Sequence, residues 1–279
     1  MIVTVVGIGL IGGSMALALK EKGMATKLIG VDANEAHCNK ALELGIVDEV
    51  KSLEESIKES ELVILATPVN ALMDLVPDVL TAVNKQVVLD VGSTKAGVLD
   101  IINHHPKRGR FVATHPMWGT EYSGPEAAVK DAFIGKAVVL CNKGESDSDS
   151  IEVVERIYKE LGMHLVYMNA QDHDVHVAYV SHISHITSFA LANTVLEKER
   201  EEEAIFELAS GGFESTVRLA KSNPAMWVPI FKENRENVLD VLNEHISQLR
   251  KFKACLEKEN YEYLQELIED ANKIKRIIK

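Results

Sequence analysis

The sequence predicts an α/β protein: a doubly wound, mostly parallel sheet covered by helices on both faces, followed by an all-α carboxyl-terminal part. Three observations carry this expectation. Short apolar, β-branched runs alternate with segments of helical spacing as far as residue 168, an order that builds a parallel sheet. The first run, Val3-Thr-Val-Val6, stops in Gly7-Ile8-Gly9-Leu10-Ile11-Gly12-Gly13-Ser14 and continues as a helical pattern. From residue 169 no run reads as a strand, and apolar residues recur at helical spacing. The expected division is therefore 1–168 and 169–279, with no low-complexity linker between the two parts.

The glycines at the first, third and sixth places of the opening turn do three different jobs. Gly7 permits the tight turn, Gly9 lets backbone approach a pyrophosphate, and Gly12 allows close helix packing. Leu10 and Ile11 open the helix, whose free N–H groups and positive dipole end favour anions. A second strand, Lys27–Val31, ends in Asp32, about 20 residues past Gly12, where a carboxylate binds the adenosine ribose diol and repels a 2′-phosphate. A glycine-rich βα turn without a ligand is the plainer alternative. The strand, turn, helix and acid in this order favour a Rossmann-type dinucleotide site with NAD preferred over NADP.

Asn34 to Leu44 follows as a helix, with Asn34 as its cap and Gly45 as its stop. Glu61–Ala66 is a strand, apolar from Leu62 onward, and Thr67-Pro68 follows at the carboxyl edge where such sheets place ligands. Val87–Val91 and Phe111–Thr114 are further strands; the first turns out through Gly92-Ser93-Thr94-Lys95 and the second runs into His115-Pro116-Met117-Trp118. Lys136–Cys141, a helix to about Leu161, and His164–Met168 complete the sheet. In the second half, Val175–Leu196 reads as a buried helix, and Gly211-Gly212 precedes a helix from Phe213 that carries Arg218. Asn223-Pro224 restarts the chain with a cap and proline at the first helical position. The segments Trp227–Leu256 and Tyr261–Ile278 are amphipathic, and broad apolar faces on long helices imply a homodimer through this half.

Composition limits the partners. With 46% hydrophobic and 26% charged residues the chain is globular, and a net charge of −12 argues against a nucleic-acid or anionic-membrane surface. Cys38, Cys141 and Cys255 have no paired spacing, so no disulfide framework or cysteine metal site is expected. The chain starts inside its first strand with no targeting segment before it, and Val175–Leu196 is too polar to span a membrane. A cytoplasmic location is expected.

Chemistry concentrates at the strand ends. Ser93 and His115 stand where a nicotinamide must lie, and an imidazole with a pKa near neutral suits removal of a hydroxyl proton as hydride leaves the same carbon. A loop histidine bonded to backbone is the alternative for His115. His182 and His185, three apart, share a helical face with Ser181 beside them, and a polar role in the interdomain cleft is favoured for the two histidines over metal binding, since HxxH lacks a glutamate and a third ligand. His173 and His176 read as capping or exposed residues at a helix start. Arg218 suits two parallel bonds to a substrate carboxylate, and a surface salt bridge remains open for it.

Several motifs in order resemble the prephenate/arogenate dehydrogenase family of tyrosine biosynthesis. They are Gly7-Ile-Gly-Leu-Ile-Gly12-Gly-Ser14, Asp90-Val-Gly-Ser-Thr-Lys95, His115-Pro-Met-Trp-Gly-Thr-Glu121, Ser181-His-Ile-Ser-His185, and Gly211-Gly-Phe213 through Arg218 to Met226-Trp227. The resemblance implies NAD-dependent oxidative decarboxylation of prephenate to 4-hydroxyphenylpyruvate, or of arogenate to tyrosine, by a monofunctional enzyme without a metal. It implies that His115 accepts the ring hydroxyl proton and that Ser93 orients that hydroxyl or the imidazole. By the same resemblance Arg218 binds a substrate carboxylate, His185 with His182 and Ser181 binds the side-chain end, Trp227 lines the pocket, and Glu121 stands near its mouth. Trp118 is bulkier than the small residue of relatives, and Glu214-Ser215-Thr216-Val217 departs from the Lys/Asp pair some carry. A β-hydroxyacid dehydrogenase, with Lys221 as its catalytic lysine, and a non-catalytic NAD-binding sensor are the alternatives.

Overall fold

Strands buried on both faces, connected by helices, can only lie inside a layered sandwich, and the chain builds one. The structure, a computed structural model, describes residues 1–199 and 206–277. Its strands are β1 (Ile2–Val6), β2 (Lys27–Val31), β3 (Glu49–Val50), β4 (Leu62–Leu65), β5 (Val87–Asp90), β6 (Phe111–Pro116), β7 (Ala137–Cys141) and β8 (His164–Met168). They form one sheet of eight in the order β3-β2-β1-β4-β5-β6-β7-β8. All neighbours are parallel except β6 and β7. The order reverses at β1, beside β4, which puts the ligand crevice at the carboxyl ends of these two strands.

Helices α1 (Leu10–Glu21), α2 (Glu35–Glu43), α3 (Leu53–Glu59), α4 (Val69–Ala82), α5 (Ala96–Ile102) and α6 (Ser148–Glu160) cover the sheet. Alternate residues of one strand serve opposite faces. Ile64 and Leu89 join Met15, Leu19 and Tyr158 in one core, while Val63, Leu65 and Val88 join Leu72, Val76 and Phe111 in the other. As expected, the Asn34 side chain caps α2, accepting from the Ala36 N–H at 3.0 Å, and Gly45 takes φ +66° after it.

The second half contains α7 (Ala170–Val177), a π-helical turn (Ala178–His182), α8 (Ile183–Glu199), α9 (Gly211–Val217), α10 (Pro224–Glu233), α11 (Arg235–Glu257) and α12 (Tyr261–Asn272). Four expectations change here. Val175–Leu196 is neither one helix nor buried: it is interrupted by the π turn, and Val175, Tyr179, Val180 and Leu196 are exposed, because the chain covers only one side of it. Arg218 lies past the end of α9, in a 3₁₀ turn. The stretch Trp227–Leu256 breaks at Asn234, whose side chain is committed to buried partners. The helix from Tyr261 ends at Asn272 and passes into a 3₁₀ turn; Ile278 lies outside the described residues. Val69 from α4 packs with Trp227 and Ile230 from α10, which joins the two halves.

Candidate active site

The nucleotide end is built by backbone. Gly7 has φ +91°, a conformation only glycine adopts cheaply, and its N–H bonds the Val31 carbonyl at 2.8 Å. A Cβ on Gly12 would lie 2.0 Å from the Gly7 carbonyl oxygen, so this position keeps α1 tight against the turn. A Cβ on Gly9 would meet nothing within 4 Å, so the space over the turn is open. Gly9 begins α1 without a side-chain cap and no acid stands in the first turn, which leaves the N–H groups at Leu10 and Ile11 for an anion.

Asp32 caps the other end of this crevice. Its carboxylate accepts from the Ile8 N–H and the Asn34 N–H, both at 2.9 Å, and His37 approaches to 3.4 Å. Across the switch point, Thr67 and Pro68 lead from β4 into α4, and the buried Thr67 hydroxyl has no hydrogen-bond partner among the described residues. An open cradle over Gly9, an uncapped helix end, the Asp32 carboxylate at the end of β2 and an orphaned hydroxyl together fit a dinucleotide diphosphate.

The chemical end lies two strands further along. His115 is half-buried inside β6, paired with Val139, beyond the Thr114 end expected for this strand, because the antiparallel ladder with β7 carries it on to Pro116. Its Nδ1 meets His173 Nε2 at 2.9 Å, and His173 Nδ1 meets Asp174 Oδ1 at 2.7 Å. His173 is fully buried, which corrects its reading as a capping or exposed residue: α7 turns it inward onto the sheet, while His176 on the same helix is exposed. The sequence carried no signal for this, since the contact joins residues 58 positions apart.

Ser93 is half-buried in the turn after β5. That turn is braced by a buried ion pair between Lys95 and Asp90, and Asp90 also accepts from the Gly92 and Thr114 N–H groups. The imidazole of His115 pairs through Nδ1 with His173 and not with Ser93, so any orienting role of Ser93 falls on the hydroxyl of a substrate. Burial, with His173, Lys95 and His182 nearby, holds His115 well below the usual histidine pKa, so it is neutral and able to accept a proton at neutral pH.

The helical half supplies the opposite wall. His182 and His185 converge on Trp227: His182 edge-on at 5.9 Å between centroids, His185 stacked at 3.4 Å. His185 Nδ1 donates to the Ser181 carbonyl at 3.0 Å, so Ser181 acts here through its backbone and leaves His185 Nε2 as an acceptor. His182 Nδ1 accepts from the Asn234 amide at 3.2 Å, which leaves its Nε2–H as a donor. Burial pushes His182 down to about 4 and lowers His185, so both are neutral at pH 7. Trp227 is 6% exposed, and its Nε1–H has no partner among the described residues.

Arg218 donates to Glu121 at 2.8 Å, joining the loop after β6 to the 3₁₀ turn after α9. Its side chain remains 49% exposed, so the guanidinium combines both readings left open for it: an ion pair in this state, with donors still facing solvent. Trp118 packs edge-on against Phe133 at 5.7 Å, directed at the core, and Lys221 is exposed.

The family models for the prephenate dehydrogenase nucleotide-binding domain and dimerization domain match residues 15–167 and 169–270. The prephenate dehydrogenase of Bacillus subtilis (strain 168) is 32% identical over 262 residues, covering 92% of this chain and 71% of the relative. The crystal structure of prephenate dehydrogenase from A. aeolicus in complex with hydroxyphenyl propionate and NAD+ is 33% identical, with a TM-score of 0.89 over 99% of this chain and 97% of that one. Arogenate dehydrogenase of Synechocystis is 25% identical, with a TM-score of 0.78 and full coverage of both chains. A dinucleotide crevice, a half-buried neutral histidine two strands along the same sheet edge and these matches over nearly the whole length agree: the chain belongs to the prephenate dehydrogenase family.

Proposed function

We propose that the protein catalyses NAD-dependent oxidative decarboxylation of prephenate to 4-hydroxyphenylpyruvate, a step of tyrosine biosynthesis. The observation that carries this reading is His115, neutral and half-buried at the strand end beside the dinucleotide crevice, with a guanidinium across the cleft. Oxidised nicotinamide supplies the hydride acceptor. His115 takes the ring hydroxyl proton as hydride leaves the same carbon. When the ring carboxylate then leaves as CO2, the bonding pair moves through the ring to the oxygen, and the imidazolium returns the proton to it. The base therefore ends as it began, and no net proton is released. Aromatisation supplies the driving force.

Arg218 turns from Glu121 to a substrate carboxylate, and the His182 Nε2–H and Trp227 Nε1–H donate to the side-chain end. Asp32 selects NAD by occupying the place of a 2′-phosphate. The exposed apolar residues Val175, Tyr179 and Val180 on α7 and the π turn, with Leu196 on α8, support a homodimer through the helical half. Sedimentation is expected to give a dimer at micromolar concentration; monomer alone rejects that part.

The test is absorbance at 340 nm with NAD and prephenate, and in parallel with arogenate. A rise with prephenate that falls about 10²- to 10⁴-fold in kcat for His115→Asn, with NAD affinity kept, is the expected result. Faster turnover of arogenate reassigns the substrate; no rise with either substrate removes the reading, and full turnover by His115→Asn removes the base.

A further inference from the structure

We infer that His173 and Asp174 are a positioning relay that sets the tautomer of His115, and that the same carboxylate holds the turn carrying Ser93. The inference deepens the dehydrogenase reading above and rests on it. Asp174 is buried, and each of its oxygens already accepts a backbone N–H: Oδ1 from Lys95 at 2.8 Å and Oδ2 from Ala96 at 2.9 Å. A carboxylate committed to accepting requires a donor on the third partner, so His173 Nδ1 carries the proton across the 2.7 Å contact. Burial lowers the His173 pKa, so the ring is neutral and its Nε2 is a lone pair. The His115 nitrogen facing that lone pair at 2.9 Å must then be Nδ1–H. One tautomer remains for His115: proton on Nδ1, lone pair on Nε2. The opposite tautomer would set two lone pairs against each other in a buried site.

The relay therefore decides which nitrogen of His115 can accept a proton. It also answers the electrostatic cost of the proton once taken. Lys95 from the α5 cap and His182 from the π turn both oppose positive charge on His115. Lys95 is already paired with Asp90, and the Asp174 carboxylate reaches the imidazolium through His173. Asn234 extends the chain into the helical half: its amide donates to the Asp174 carbonyl at 2.7 Å and to His182 Nδ1 at 3.2 Å. The base, the Ser93 turn and the donor histidine of the opposite wall thus share one buried carboxylate residue.

The relay is read without turnover by ¹⁵N NMR of histidine-labelled wild-type protein at pH 8, with the His115 signals assigned from His115→Asn. Protonated Nδ1 and unprotonated Nε2 are expected; an Nε2-protonated ring overturns the inference even if the enzyme reduces NAD with prephenate. If the protein turns over neither prephenate nor arogenate, the dehydrogenase reading fails, and the ¹⁵N result alone decides the tautomer. In kinetics, His173→Leu lowers kcat/KM about 10²-fold or more, and His173→Gln, whose carbonyl can still accept from Nδ1–H, recovers most of it. Asp174→Asn moves the acid limb of kcat/KM to lower pH, because the imidazolium loses its distant anion. His173→Leu with wild-type kcat/KM and an unmoved limb overturns the inference. Should either variant fail to fold, the wild-type spectrum and His173→Gln remain decisive.

Discussion

Two alanine substitutions three residues apart separate the architecture of the opening turn from its ligand. In Gly12→Ala the new methyl would lie 2.0 Å from the Gly7 carbonyl oxygen and 3.0 Å from Ala66 Cβ and Val5 Cγ1. The oxygen belongs to backbone, so α1 and the turn must part by about 1 Å. Forced overpacking of this kind costs about 3 kcal/mol at the upper end of its usual range. For a chain of this size that lowers Tm by about 6–12 °C. In Gly9→Ala the methyl meets nothing within 4 Å and the backbone is extended at φ −88°, so stability stays within about 0.5 kcal/mol. The methyl instead occupies the space a pyrophosphate must enter. Losing one charge-assisted backbone bond there costs about 1.5–3 kcal/mol, or roughly 10- to 100-fold in NAD affinity. Circular dichroism melting and NAD titration calorimetry on both variants read the two effects. Gly9→Ala binding NAD as the wild type does would refute the placement of the diphosphate, and an unchanged Tm for Gly12→Ala would refute the packing argument.

Arg218→Ala is expected to raise KM for prephenate about tenfold or more with kcat within about threefold, because the carboxylate it binds is charged before and during reaction; steady-state kinetics showing a pure kcat loss contradict the assignment. Asp32→Ser is expected to relax the preference for NAD, and an unaltered NAD to NADP ratio in kcat/KM would show that this carboxylate is not at the ribose. Acid lowers stability through His182. Its folded pKa of about 4 lies below the unfolded value of 6.5, so the unfolded chain binds the proton first and stability is lost as pH falls through this window. From pH 7.5 to 5 His182 contributes about 2 kcal/mol of a loss to which the depressed His115, His173 and His185 add, and His182→Gln should lessen the loss read by urea unfolding by about that amount. A variant with the full wild-type slope would place the acid sensitivity elsewhere.

Much of the site was legible because its parts are local. Gly7, Gly9, Gly12 and Asp32 make a pattern that one βαβ unit must satisfy alone, and the strands around them are apolar runs with one admissible environment. The strand β3, only Glu49–Val50, is too short to have a period and went unseen. The second half was legible as helices but not in its breaks. Where α10 ends, and where the π turn falls, depends on Asn234 and His182 finding buried partners, not on their own propensities.

By itself the sequence determined the parallel sheet and the dinucleotide turn, because hydrophobic period and glycine spacing act over a few residues, while its family resemblance marked His115 as the expected base. The partners of that base were decided only in the folded chain. His173 reads as a surface residue beside Asp172, yet α7 turns it onto β6, 58 positions from His115, and the Asp174 carboxylate beyond it is held by the cap of α5. Arg218 likewise meets Glu121 across 97 positions. Hydrogen bonds between distant segments leave no period in the chain, since what selects them is the cost of burying an unpaired polar group once packing has brought the elements together.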